Sequence, residues 1–365
     1  MRKAGGKRKV GMIIGIAVAL VVAGVAVAVA LYVDNNRHGE ARMIEKAHAA
    51  GFVEKQVDVG GAVVNYAEGP AGGPALLLIH GQSMQWEDYA SVLPRLAERY
   101  HVYAVDCFGH GESTRDPSLY TCAAQGEALV SFADQVIDAP YEVSGLSSGG
   151  IIAAWVAAND AERVTSLVLE DPPFFHVTPE EMQREPGCFV WRDGFEITHG
   201  FLQQSEVDDL AVYYAQNSYL FAQFGGLQPR IAEWTAAERA ANPNEHLVLS
   251  WVPHDWVRGM YYYDDFDPRF SEAFYQGTWL EDDAQEEMLA AVECPTIYLK
   301  AETRYGADGL LYAANSDEDA LRVEELLADC ETVRIESGHD IHYEHPDAFV
   351  DAVDRAQARA AGGGD

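Results

Sequence analysis

The pattern of hydrophobic and polar positions divides the chain into stretches of different character. From Gly11 to Val33 the run "GMIIGIAVALVVAGVAVAVALYV" holds no charged side chain. At about 1.5 Å per residue a helix of this length crosses a hydrocarbon layer of about 30 Å, so residues 10–33 are expected to form one transmembrane helix. A cleaved secretory signal is the rival reading, because the "AVA" triplets near residues 26 to 30 resemble a cleavage site. The apolar part of such a signal is usually only about 7–15 residues, which favours an anchor that is kept. A surface helix of a soluble domain would need a polar face, and this segment has none.

Beyond the anchor, "NNRHGEARMIEKAHAAG" is polar and partly helical in pattern, and reads as a stalk over residues 34–52. "KQVDVGGAVVNYAEGP" alternates apolar and polar positions around Gly60-Gly61, the pattern of a β-hairpin. "ALLLIHG" is then a short continuous apolar run, as expected of a strand buried on both faces. From there strands ("HVYAVD", "YEVSG", "VTSLVLE") alternate with segments of helical period ("WEDYASVLPRLAERY", "CAAQGEALVSFADQVI", "SGGIIAAWVAAND"). That alternation predicts an α/β fold, a mostly parallel sheet flanked by helices. It lapses over residues 172–293, which are rich in aromatics and helical in pattern, and which predict an inserted helical cap. "CPTIYLKA" restarts the sheet and "HPDAFVDAVDRAQARA" closes it, so residues 53–171 and 294–361 form the core. The "AGGGD" tail is expected to fray.

Charge changes the picture at the N-terminus and over the whole surface. Residues 1–9 carry five basic residues and no acidic one, which by the positive-inside rule keeps this end cytoplasmic and the rest outside. If the segment were cleaved, the domain would be secreted. The chain has 25 Lys+Arg against 58 Asp+Glu, a formal net charge of −33. Such a polyanion is repelled by nucleic acid and by anionic headgroups, so no nucleic-acid partner is expected. The five cysteines are scattered, odd in number and without CxxC spacing, which leaves at least one thiol unpaired and gives no cysteine metal site. No metal and no cofactor is expected.

The chemistry concentrates in "YEVSGLSSGG", residues 141–150. A G-x-S-x-G match alone is weak, because both residue types are common. Here it follows an apolar strand and opens a helix of small residues, the setting of a nucleophile elbow. That geometry selects Ser147. Ser144 lies before the turn, and Ser148 already starts the helix.

With these segments the chain resembles the α/β-hydrolase fold family over nearly all its length after the stalk. "LLLIHGQS" looks like the family's strand and oxyanion loop, and "AVDCFGHGES" like its D-x-x-G-H-G-x-S turn, with Phe108 where Arg is common. "GHDIHYEHP" fits the pattern that often surrounds the family's catalytic histidine. A serine hydroxyl needs a base to take its proton, and the resemblance implies His339 in that role. His80 and His110, in glycine turns, suit structural hydrogen bonds. His342 and His345 follow His339 at three-residue spacing, but the loop context argues against zinc. The third member orients the imidazole. After the cap, Arg304 occupies the position where many relatives carry an aspartate, leaving Glu302 and Asp308 as substitutes. The family's other placement, at the end of the strand before the cap, puts Asp171 there, and Asp171 is preferred over the alternative acid Glu302. The resemblance further implies an oxyanion hole made by the backbone N–H groups of Gln82 and Ser148. Trp86, Phe174 and Phe175 are expected to line an apolar substrate pocket under the cap.

The function implied is a membrane-anchored serine hydrolase, esterase- or lipase-like, acting on a small, apolar acyl substrate. The same residues would serve an amide, lactone, thioester or carbon–carbon bond, and a non-catalytic binding protein on the same scaffold is the reading from another class. Family members that use an aspartate nucleophile, the epoxide hydrolases and haloalkane dehalogenases, are disfavoured by the serine at the elbow.

Overall fold

A computed structural model describes residues 4–176, 179–182, 187–280 and 284–362. The start of the basic N-terminus, short pieces of the expected cap and the last residues of the tail lie outside them.

Eight strands form one sheet in the order β1-β2-β4-β3-β5-β6-β7-β8. They are β1 (Val53–Asp58), β2 (Val63–Glu68), β3 (Ala75–Ile79), β4 (His101–Val105), β5 (Tyr141–Leu146), β6 (Val164–Glu170), β7 (Thr296–Ala301) and β8 (Cys330–Ile335). The β1–β2 hairpin and the β2–β4 pair are antiparallel, and every other pair is parallel. Side chains on a strand alternate between faces, and the two cores obey that period. Leu77, Ile79, Tyr103, Val105, Val143, Leu167 and Leu169 pack on one side with helices Cys122–Phe132 and Ser148–Asn159. Leu76, Leu78, Val102, Ala104, Val168, Ile297 and Leu299 pack on the other, under Phe349, Val350 and Val353 of the closing helix Pro346–Ala360. Each such aliphatic side chain, fully buried, contributes about 1.5–3 kcal/mol.

The register decides where the chemistry goes. Leu146 at the end of β5 sits beside Glu170 at the end of β6, and Glu170 sits beside Leu299 of β7. The next residues along β5 and β6, Ser147 and Asp171, therefore leave the same edge of the sheet side by side. Between β6 and β7 the described residues are helices and loops. Ile197, Tyr214, Phe221, Ile231, Leu249 and Met260 give this insertion a core of its own.

The N-terminal helix α1 runs unbroken from Ala4 to Ala49. Its apolar half is exposed along its length, and is the one described helix long and apolar enough to cross a membrane. Its second half differs from a free stalk. Asn36, Glu40, Met43 and Ala47 recur at helical spacing on one face, and that face is docked. Asn36 Nδ2 donates to the backbone oxygens of Ser250 at 3.1 Å and Val252 at 2.8 Å, while Ala47 is buried beside Phe52 and Trp86. All five cysteines are free thiols.

Candidate active site

Ser147 stands between β5 and helix Ser148–Asn159 with φ 54° and ψ −124°. A non-glycine residue is strained there, and the neighbouring glycines explain how the turn is reached. A Cβ on Gly145 would lie 2.1 Å from the Gly149 carbonyl oxygen, and one on Gly149 would lie 2.3 Å from the oxygens of Ile79 and His80. Only glycine lets strand, helix and the loop after β3 pass so closely. Among the described residues five non-glycine residues have positive φ, and three of them, Ser83, Ser147 and Asp171, line a single cavity.

That cavity, of about 300 Å³, lies between the sheet edge and the insertion. His339, from the loop after β8, also lines it. His339 Nδ1 donates to Asp171 Oδ2 at 2.8 Å. A carboxylate can only accept, so this bond fixes the tautomer and leaves Nε2 free of a proton while the ring is neutral. Burial opposes charge on both groups, but their hydrogen bond and mutual attraction outweigh it. His339 is raised above the usual 6.5 and Asp171 is held below the usual 3.8. The other Asp171 oxygen accepts from the Ala301 N–H at 3.1 Å and lies 3.4 Å from the ammonium of the buried Lys300. Lys300 is a group that the sequence reading passed over. A lysine near the end of an otherwise buried strand was the available signal.

The loop from β3 is held by two neutral imidazoles. His80 Nε2 accepts from the Cys107 N–H at 3.0 Å, and His110 Nε2 accepts from the Ser83 N–H at 3.1 Å. Burial pushes His80 down to about 4 and holds His110 well below its usual value. Both stay acceptors at neutral pH and tie this loop to the turn after β4. Gln82 and Ser148 both line the cavity next to Ser147.

Other expectations fall out differently. Trp86 is not in the cavity. It is buried in the opposite core, its backbone N–H donating to Asp106 Oδ1 at 2.7 Å and its ring edge-on to His48 of α1. Phe174 and Phe175 also turn inward, because the chain after Asp171 dives under the insertion: Phe174 is fully buried and Arg322 covers the Phe175 ring. The apolar walls come instead from Met84, Phe189, Phe195, Trp256, Met260 and Phe274. Of the alternative acids, Glu302 pairs with Arg304 at 2.7 Å and Asp308 accepts from the Tyr219 hydroxyl at 2.8 Å. His342 is buried beneath His339 and bonds to Glu170 at 3.0 Å.

A model of the alpha/beta hydrolase family matches residues 76–352. The chain belongs to this family. The hydrolase is 35% identical over 177 residues to the pimeloyl-acyl-carrier-protein methyl ester esterase of Nitrosomonas europaea, covering 46% of this chain and 62% of that one. It is 31% identical over 134 residues to the 2-hydroxy-6-oxo-6-(2'-aminophenyl)hexa-2,4-dienoic acid hydrolase of Metapseudomonas resinovorans, covering 36% of this chain and 46% of that one. The chain thus spans less than two thirds of the length of either relative. Among solved structures it resembles a bacterial membrane phospholipase A, with TM-score 0.55 and 22% identity over 95% of this chain and 98% of that one. It also resembles a putative lipase from Acinetobacter baumannii, with TM-score 0.58 and 18% identity over 89% and 97% of the two chains. At these identities the structural likenesses concern the fold.

Proposed function

We propose that this hydrolase is a membrane-anchored serine hydrolase that cleaves an ester, or a related acyl bond, through an acyl-enzyme. The observation that carries the reading is the single cavity onto which a strained serine and a carboxylate-bound imidazole both open. Ser147 Oγ attacks the acyl carbon while His339 Nε2 takes its proton. Asp171 holds the imidazole by Nδ1 and steadies the imidazolium that forms. The backbone N–H groups of Ser148 and Gln82 receive the charge that develops on the carbonyl oxygen. The imidazolium then protonates the departing alcohol, and water, activated by the same base, releases the acid. The backbone at Ser147 is strained before substrate arrives, so the position of its side chain is set by folding and not by binding.

The apolar walls suit a hydrophobic acyl or alcohol group, and the methyl ester esterase and phospholipase A among its likenesses are ester hydrolases by name. The anchor is the apolar half of α1, with the basic end cytoplasmic and the catalytic core, 53–171 and 294–361, outside under its cap. A fluorophosphonate probe tests the chemistry. The parent enzyme is expected to be labelled and the Ser147→Ala variant to remain unlabelled while melting at the same temperature. A folded parent that takes no label defeats the serine mechanism and leaves the binding-protein reading.

A further inference from the structure

The insertion carries three tryptophans that are far from buried: Trp234 is 50% exposed, Trp251 39% and Trp256 53%. Trp234 and Trp251 meet edge to face at 5.4 Å, on a shallow apolar hollow shared with Ala237 and Val248. Water-facing indole pairs of this kind call for an occupant, and the position of α1 says which.

The two backbone oxygens that Asn36 binds, on Ser250 and Val252, bracket Trp251. Farther along the same stretch, His254 and Arg258 bind Glu40. Residues 250–258 therefore climb beside α1 from the level of Asn36 to the level of Glu40. At about 1.5 Å per residue, those levels lie about 4.5 Å and about 10.5 Å beyond Val33, where the apolar run ends. The headgroup layer on each side of a bilayer is about 5–7 Å thick. Trp251, with Trp234 against it, falls within that layer, and Trp256, at the level of Glu40, lies a few ångströms beyond it. Tyr32, itself 42% exposed, marks the same boundary on α1. Tryptophan and tyrosine concentrate at such interfaces because an amphipathic ring satisfies both sides. Arg37 pairs with Glu238 beside the hollow at 2.9 Å, which neutralises an acidic group that anionic lipid would repel.

We infer that the Trp234–Trp251 face of the cap lies in the headgroup layer of the membrane that α1 crosses. The occupant is the lipid surface itself. Trp256 lines the cavity that holds Ser147, so its mouth stands a few ångströms above that layer. The site is then placed to take amphiphilic esters presented by the bilayer. This rests on the anchored reading above.

The test uses the full chain in phosphatidylcholine vesicles, with flotation to report anchoring and acyl-chain-brominated phosphatidylcholine to quench tryptophan. Quenching is expected in the parent, and most of it is expected to disappear in Trp234→Phe/Trp251→Phe, which keeps an apolar surface. In Trp234→Ser/Trp251→Ser, kcat/KM for a vesicle-borne ester should fall several-fold, with hydrolysis of a short soluble ester unchanged. A protein that floats but is quenched equally in parent and Phe variant overturns the inference and leaves the anchor standing. The face would then belong to water or to a second copy. A protein that does not float overturns both.

Discussion

Two histidine–carboxylate pairs sit one above the other at the end of β6, and they are built for different tasks. Adjacent residues supply the acids: Asp171 binds His339, and Glu170 binds His342. The first pair opens onto the cavity, with the His339 side chain 36% exposed. The second is sealed. His342 Nε2 reaches the Asp88 carbonyl at 3.0 Å, Arg258 binds the Asp88 carboxylate at 2.5 Å, and the same guanidinium holds Glu40 of α1 at 2.7 Å. The Tyr262 hydroxyl and His254 complete the partners of Glu40. One pair therefore has a ring nitrogen left for chemistry, and the other has every polar atom of its imidazole occupied. On the proposed mechanism the same two residue types give an acid–base group or a structural clamp, according to what reaches the far nitrogen.

The comparison can be broken most sharply at the first pair. Asp171→Asn should lower kcat by about 10³–10⁴-fold, because it turns the imidazole to the wrong tautomer, and should also lower the melting temperature, because it leaves the buried Lys300 ammonium without its counter-charge. Glu302→Ala, which removes a cavity-lining partner of Arg304 but leaves the Asp171–His339 bond in place, should cost far less. Steady-state rates on a soluble ester decide between them. The second pair should respond in stability instead. Arg258→Ala strands Asp88 and Glu40 as buried charges and should destabilise the fold by about 3–5 kcal/mol, read by denaturant unfolding, while the folded fraction keeps its kcat. If Arg258→Ala instead lowers kcat at constant stability, the clamp belongs to the reaction.

The smallest effect is in pH. As the proposed base His339 must be neutral to act, and its pKa is raised above 6.5. The acid limb of kcat/KM should therefore have its midpoint above pH 6.5, and removing the Asp171 charge should shift it down. Stability runs the other way. The raised His339 contributes fully below pH 6.5 and loses its contribution as pH rises through its folded value. Asp171, held low, contributes above its usual 3.8 and loses its contribution only as pH falls through its folded value. Catalysis thus develops as the stabilising charge of the first pair fades. His342 is raised well above 6.5 by Glu170 and Asp88, against the opposing effect of burial, so the clamp stays charged where the enzyme works. Unfolding free energies across this pH range, in the parent and in His342→Gln, separate the two contributions.

What was legible in the sequence was local. The hairpin at Gly60-Gly61, the buried strands and the glycines around Ser147 are dictated by neighbours a few residues away. Asp171 was singled out only through the resemblance, which allows the acid at the end of the strand before the cap, and the structure puts its carboxylate on His339. The lining of the cavity was not. Trp86 and Phe174 share their hydrophobicity with Phe195 and Phe274, and only the path of the chain over the sheet decides which face the cavity. The docked half of α1 was hidden for the same reason. Glu40 reads as a solvated helix position until Arg258, 218 residues away, supplies its partner.

That docking has a consequence for how the protein can change over generations. An N-terminal anchor is commonly a detachable part, exchanged between genes by fusion or lost by a late start. Here the exchange point cannot fall at residue 52, because α1 packs into the fold ahead of it. A chain that begins there lacks Asn36, Glu40 and Ala47, and leaves a buried guanidinium facing an open groove. A chain that begins near Asp34 keeps them. The apolar run and part of the fold's own packing are written in one helix, and are inherited together.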